Sequence, residues 1–108
     1  MRDGAVIYVF EVAVKPGYSA EAYAEAWVAA SEIIQRSPGA RGTRLHQSLD
    51  DPSRLIAIAG WDSRDQRALS AAVFDATVRE IIASQAPFVD IRVIGEFDDP
   101  EWVVSPGD

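Results

Sequence analysis

The side chain best suited to chemistry in this sequence is that of Trp61, because of what stands on either side of it. Residues 55–59, LIAIA, are apolar on both faces of a strand, as in strands that are buried on both sides. Asp62 and Ser63 offer N-cap oxygens directly after the tryptophan, and Gln66 lies three residues beyond Ser63, as a capping box requires. The sequence therefore predicts Trp61 at a strand-to-helix junction, where its indole N–H can donate a hydrogen bond into a cleft.

The other reactive residue types limit the kinds of site that the chain can build. It contains no cysteine, which excludes disulfides and thiolate metal ligands. Its one histidine, His46, argues strongly against a multi-histidine metal site within one chain. No pair of carboxylates has the spacing of a metal or glycosidase site, and there is no glycine-rich phosphate loop. We therefore expect no bound metal.

Length and charge narrow the class of protein further. The 108 residues suit one domain over residues 1–108, and 48% hydrophobic residues can build a core. Ten basic and 17 acidic residues give a net charge of −7, which argues against nucleic acid or an anionic membrane as a partner. No apolar run approaches the ~20 residues of a membrane helix, and no signal-peptide pattern is present. We expect a soluble, cytoplasmic protein.

Hydrophobic periodicity and turn residues predict six main elements. Strands are expected over residues 5–14, 40–49, 54–61 and 88–97, and helices from a Ser19 cap to Ser37-Pro38-Gly39 and over about residues 64–84. The apolar stripe of the second helix shifts phase, which predicts a break near residues 73–75. Residues 102–104 are a candidate for a short fifth strand.

The order βαββαβ is typical of the ferredoxin-like α+β fold, a four-stranded antiparallel sheet with both helices on one face. The strands at 5–14 and 54–61 are apolar on both faces, whereas two helices cover only one. Because soluble monomers rarely expose so large an apolar surface, we predict a homodimer in which two sheets pack face to face. The tail, residues 98–108, is expected to contact the partner subunit. The alternative is a monomer whose tail folds back over the open sheet face.

Three short motifs connect the chain to a known family. They are the KPG turn at 15–17, PGARG at 38–42 and GWDS at 60–63. With the element order, they resemble the antibiotic biosynthesis monooxygenase family over about residues 5–97. The resemblance implies a dimeric α+β barrel. Members include cofactor-free monooxygenases that oxidise aromatic polyketides such as anthrones to quinones, and enzymes that degrade haem.

The resemblance also implies site residues, position by position. Trp61 matches a tryptophan that lines the pocket in both branches, and Arg79 falls about where the anthrone oxidases place a pocket arginine. Those oxidases have an asparagine and a tyrosine where this chain has Ala57 and Arg67. The haem-degrading branch needs an axial histidine near Val78, and there is none. The implied reaction is therefore oxidation of an electron-rich phenol or anthrone by O2, without a cofactor.

That chemistry assigns roles to three residues. Trp61 and Arg79 are candidate donors to a developing oxyanion, and His46 is a candidate proton acceptor because imidazole titrates near physiological pH. Each of these residues has a structural alternative. Trp61 can serve only as an anchor of the strand-to-helix junction. Arg79 lies four residues after Asp75, as in an ordinary ion pair on a helix surface, and His46 lies on a polar strand face.

A flat substrate pocket would need apolar walls, which four helix residues and one strand residue can supply. The candidates are Tyr23, Trp27, Phe74 and Val78, with Ala57 on the strand. The spacing of the aromatic residues suits core packing equally well. The expected function is a cofactor-independent monooxygenase, and the alternatives are a polyketide cyclase or isomerase and a non-catalytic small-molecule binder. Ala57, which lacks the amide of an asparagine, favours the cyclase slightly.

Overall fold

The computed structural model describes residues 4–107 of the chain. Its elements follow the order βαββαβ that the sequence predicts. The strands are β1 (Val6–Val14), β2 (Ala40–Gln47), β3 (Arg54–Trp61) and β4 (Val89–Asp98), and the helices are α1 (Ala20–Ile34) and α2 (Arg64–Gln85). The strands form one antiparallel sheet in the order β2-β3-β1-β4, which confirms the ferredoxin-like α+β fold.

The two faces of this sheet have different neighbours. The helix face carries Val12 and Val14, which form a buried cluster with Tyr23 and Ala26 of α1. The open face carries residues of the opposite parity, such as Val9 and its β3 partner Ile58. Because both helices lie on one side, the same strands serve a helix-covered layer and an uncovered layer.

Both helices begin at the predicted caps. The hydroxyl oxygen of Ser19 accepts a hydrogen bond from the backbone N–H of Ala22 at 3.1 Å, and that of Ser63 accepts one from Gln66 N–H at 3.2 Å. These bonds satisfy N–H groups that the first helical turn leaves free. The Gln66 side chain also returns to the cap, where its Oε1 accepts a hydrogen bond from the Ser63 hydroxyl at 3.1 Å in place of the backbone N–H bond of a full capping box.

The predicted break in the second helix is wrong, because α2 runs without interruption from Arg64 to Gln85. The phase shift in the sequence came from Leu69 and Val73, and both side chains are about two-thirds exposed. They do not belong to the buried stripe, so no break is needed to bury them. The helix contains neither glycine nor proline, whose presence would favour a kink.

A β-bulge interrupts the regular alternation of faces along β4. Phe10 of β1 pairs with Val93, but its neighbour Val9 pairs with Gly95, so Ile94 is an extra residue in β4. Gly95 has a φ of 149°, which residues with side chains rarely adopt. Before the bulge the odd-numbered residues of β4 lie on the helix face, and beyond it the even-numbered residues do.

The reversal exchanges two side chains near the end of β4. Glu96 pairs with Tyr8 and lies on the helix face, whereas Phe97 pairs with Ile7 and lies on the open face. Regular alternation from Val89 through Gly95 would place both side chains on the opposite faces.

The tail forms no fifth strand among the described residues. From Asp99 to Gly107 the backbone has no strand or helix, and Trp102 is 88% exposed. Val103 and Val104 are exposed as well, so these side chains do not bury the open face of the same chain. The tail arrangement of the predicted monomer is therefore absent.

Candidate functional site

A cavity of about 300 Å³ lies between the helix face and the two helices. The closest packing of α2 is against α1, and its contact with the strands is slight. Ile91 and Val93 of β4 therefore stay about half exposed. Cavities of this size are at the lower end of those that hold small organic ligands.

Most of the cavity wall is apolar, and the predicted substrate-binding residues supply much of it. Tyr23, Trp27, Phe74 and Val78 all line the cavity. Ala57 does not: it is 1% exposed and belongs to the packed sheet. Burial raises the pKa of the Tyr23 phenol well above its ordinary value, so this wall residue is neutral at physiological pH.

Trp61 lies where β3 ends and α2 is about to begin, as the sequence predicts. It is 3% exposed and lines the cavity. Its neighbours across the sheet are Ala40 of β2 and Val6 of β1. The backbone N–H of Asp62 donates to the carbonyl oxygen of Gly39 at 2.8 Å, which fixes the chain directly after the indole. The tryptophan is thus both an anchor of the junction and a wall of the cavity.

The turn before β2 packs closely against the same junction. Gly39 has a φ of 86°, and a Cβ at this position would overlap the side chain of Gln66. The hydroxyls of Ser37 and Ser70 also share a buried hydrogen bond of 2.8 Å. These contacts hold the first turns of α2 against the end of α1. They therefore fix the end of the cavity at which Trp61 lies.

Arg67 is a cavity residue for which the sequence predicted no role. Its guanidinium carbon lies 3.8 Å from the centre of the Tyr8 ring, in a cation–π contact, and its side chain is only 24% exposed. It also lies 3.6 Å from the carboxylate of Glu96, which the β4 bulge brings to this face. Arg64, which is mostly exposed, lies 3.3 Å from the same carboxylate. Of these three charged residues only Arg67 lines the cavity, and it adds a positive charge to this end of the wall.

Arg79 lines the cavity, but it is paired and largely solvated. Its Nε lies 2.9 Å from the carboxylate of Asp75, one helical turn earlier, and its side chain is 80% exposed. The structure thus contains both the predicted cavity position and the predicted surface ion pair. Asp75 is the one carboxylate among the cavity residues of the described chain.

His46 lies elsewhere. It pairs with Ile56 across the sheet and lines a separate groove with Glu11 and Arg54. Ile56 and Glu11 are cross-strand partners on the open face, opposite to the cavity. The structure therefore does not bring His46 to Trp61, and the geometry gives no support to its predicted role as proton acceptor.

The groove beside His46 holds a compact ion cluster. The carboxylate of Glu11 accepts hydrogen bonds from the Nε atoms of Arg54 and Arg92, both at 3.0 Å. These bonds, first of all the one from Arg54, lower the pKa of Glu11 below its ordinary value. Each arginine finds its acceptor within the cluster.

Two features are absent from the part of the chain between residues 4 and 107. No group of three or more His, Cys, Asp or Glu side chains there is arranged to hold a metal ion. Neither of its helices has the length and apolar character needed to cross a membrane.

The comparisons with known proteins agree with this fold. The model of the antibiotic biosynthesis monooxygenase family matches residues 5–80, and the chain belongs to that family. No curated protein matches the chain.

The structure is similar to that of SnoaB from Streptomyces nogalater, a cofactor-independent oxygenase. The TM-score is 0.77 at 15% sequence identity, with 94% of this chain and 99% of SnoaB covered. Protein SO0527 from Shewanella oneidensis aligns with a TM-score of 0.72 at 16% identity, over 91% of this chain and 93% of that one. At these identities the similarity establishes the fold.

Proposed function

We propose that the protein is a cofactor-independent monooxygenase that oxidises an aromatic, polyketide-like anthrone or phenol with O2. The observation that carries the proposal is the apolar cavity, with the Trp61 indole and the Arg67 guanidinium on its wall. Membership of the family and the fold shared with SnoaB support it.

In this reaction the substrate itself is the reductant. Loss of a proton converts an anthrone into its enolate, which passes one electron to O2, and the resulting radical pair combines to form a carbon–oxygen bond. The hydroperoxide then loses water and leaves a carbonyl group. One oxygen atom enters the product, the other leaves as water, and all electrons come from the substrate.

The reaction requires an apolar environment, a hydrogen-bond donor to the oxyanion and a proton acceptor, and the cavity has residues for each. Its apolar walls exclude water, and a low-dielectric site strengthens the pull of a donor on a developing oxyanion. We assign this donor role to the indole N–H of Trp61, with the Arg67 guanidinium as counter-charge. We assign to Asp75, the carboxylate on the cavity wall, the role of accepting the proton that the substrate loses.

We further propose that the working protein is a homodimer formed by the open faces of two sheets. Ile7 and Phe97 lie beside each other on this face, and Val9 and Ile58 pair next to them. They make an apolar area that neither helix covers. Packing two such faces by a twofold axis would remove both from water.

A cyclase or isomerase on the same scaffold is the second candidate. Ala57 favours it, because β3 carries no amide side chain at this position. Such an enzyme would use the dry cavity and a proton acceptor without O2. Product formation under strict anaerobiosis would identify it.

The test of the proposal is oxygen uptake by the metal-stripped protein with anthrone, beside a Trp61→Phe variant. We expect uptake with formation of the quinone, and a loss of about 100-fold in kcat in the variant, as for removal of an oxyanion donor. Trp102→Phe, at an exposed tryptophan of the tail, is the matched control and should retain full activity. Uptake no faster than the spontaneous oxidation of anthrone would contradict the oxygenase.

A further inference from the structure

The amide side chain of Gln35 is held in one orientation at the wall of the cavity. Gln35 follows the last residue of α1 and caps that helix. Its side chain reaches β2, where its Oε1 accepts a hydrogen bond from the backbone N–H of Gly42 at 2.9 Å. A backbone N–H can donate only to the oxygen of an amide, so this bond fixes which end of the amide is which.

The Gly42 N–H is available for this bond because β2 is irregular there. The pairing of β2 with β3 shifts register between Ala40 and Thr43, and Gly42 lies in the shift with a φ of 94°. Residues with side chains rarely adopt that conformation, so the glycine is part of the device that orients Gln35.

The other end of the amide has no partner. The Nε2 atom of Gln35 is buried and makes no hydrogen bond within the described chain. Buried donors are almost always paired, because leaving one unpaired forfeits the bonds that water would make. Gln35 lines the cavity together with Thr43 and Trp61. Thr43 donates its own hydroxyl hydrogen to the carbonyl of Ile58 at 3.3 Å, so it is occupied where Gln35 is not.

We infer that Gln35 is a ligand-binding residue whose Nε2 donates a hydrogen bond to a carbonyl oxygen of the aromatic ligand. A neutral amide N–H₂ suits a neutral acceptor, whereas Arg67 on the same wall suits an anionic group. The ligand class is therefore a fused aromatic ring system that carries a ring ketone. The inference deepens the proposed function by naming the group that is recognised, but it requires only binding and no reaction with O2.

The test is equilibrium binding of 9-fluorenone and of fluorene, which share a flat tricyclic skeleton and differ in the ketone. Neither probe needs to react, so binding is measured without O2. The variants are Gln35→Met, which is similar in size and lacks the amide, and Gln35→Glu, which keeps an acceptor for Gly42 N–H and lacks the donor. Gln47→Met is the control, since Gln47 lies outside the cavity and donates to Pro52 O.

We expect both Gln35 variants to bind fluorenone about fivefold or more weakly, the effect of one lost hydrogen bond, and to bind fluorene within twofold of the parent protein. The ketone stretching frequency of bound fluorenone should be lowered in the parent protein and in Gln47→Met, and should return to its value in an apolar solvent in Gln35→Met. A purely structural role would weaken both probes equally, and this result would overturn the inference.

Failure of the parent protein to bind either probe would overturn the inference as well. Binding of fluorenone that depends on Gln35, combined with no oxygen uptake from anthrone, would support the inference and contradict the oxygenase. The two proposals therefore fail by different observations.

Discussion

The polar side chains on the two sides of the sheet differ in whether their hydrogen-bonding atoms have partners. On the open face Glu11 is bracketed by Arg54 and Arg92, and the bonding groups of the cluster find each other. On the helix face the Nε2 of Gln35 and the Oε2 of Glu96 are buried without a hydrogen-bond partner in the described structure. A polar cluster that is complete by itself stabilises a fold or an interface, whereas unused bonding capacity beside a cavity is suited to a ligand.

The same strands produce both faces, so the difference comes from what packs against each side. No helix packs against the open face or its apolar residues. The helix face is covered by two helices, and a cavity remains between them and the sheet. Substitutions that affect one face and spare the other therefore test the distinction.

The largest expected effect is on the open face. Ile58→Asp would place a carboxylate within the proposed dimer interface, where its desolvation is unfavourable, and should raise the dimer dissociation constant by about 100-fold or more. Light scattering after size-exclusion chromatography measures the change. Thr77→Asp on the exposed side of α2 is the control and should remain dimeric. A parent protein that is monomeric at micromolar concentration would contradict the interface.

The next effect belongs to the cavity. Arg67→Met removes the guanidinium from the cavity wall and should lower kcat/KM with anthrone by about tenfold. Arg64 is the other arginine beside Glu96, and its side chain is mostly exposed. Arg64→Met should therefore change kcat/KM less than twofold. Equal losses in the two variants would mean that the carboxylate pairing, and not the cavity cation, controls the rate.

A smaller effect is expected from the ion cluster as the pH falls. The pKa of folded Glu11 is lowered, so its carboxylate stabilises the fold at pH values above its ordinary pKa of 4.5. That stabilisation disappears as the pH falls through the lowered value. Urea unfolding should show the parent protein more stable than Glu11→Gln at pH 7, with the difference shrinking below about pH 4.5. A difference that is constant from pH 7 to pH 3 would rule out the pairing in solution.

The smallest effect is expected at His46. Because its groove lies opposite to the cavity, His46→Gln should leave oxygen uptake within about twofold across pH 6 to 8. Rate profiles of the two proteins against pH make the comparison. If an inflection in the parent profile vanished in the variant, His46 would belong to the proton pathway after all.

The elements were predictable from the sequence because their signals are local. Serine caps, apolar alternation and the turn at Pro38-Gly39 each act within a few residues, and the structure contains them all. The uninterrupted α2 was missed because exposed Leu69 and Val73 resembled a buried stripe. Burial depends on tertiary packing, which a periodic pattern does not contain.

The site was predictable only in part. Trp61 follows from its place between a strand and a helix cap. The position of Arg67 over Tyr8 depends on how α2 leans on the sheet, and the free amide of Gln35 depends on an irregularity in another strand. One signal was available and not used, since an isolated glycine such as Gly95 within a strand pattern indicates a bulge.

The bulge at Ile94 gives β4 one residue more than its pairing with β1 requires. Loss of the Ile94 codon would restore regular pairing and would leave Glu96 opposite Tyr8 and Phe97 opposite Ile7, on the faces where they lie now. The same deletion within β1, which pairs with β3 without a bulge, would turn every later side chain of that strand over. An in-frame deletion at the bulge is therefore a change of chain length that evolution could make without exchanging the two faces of the sheet.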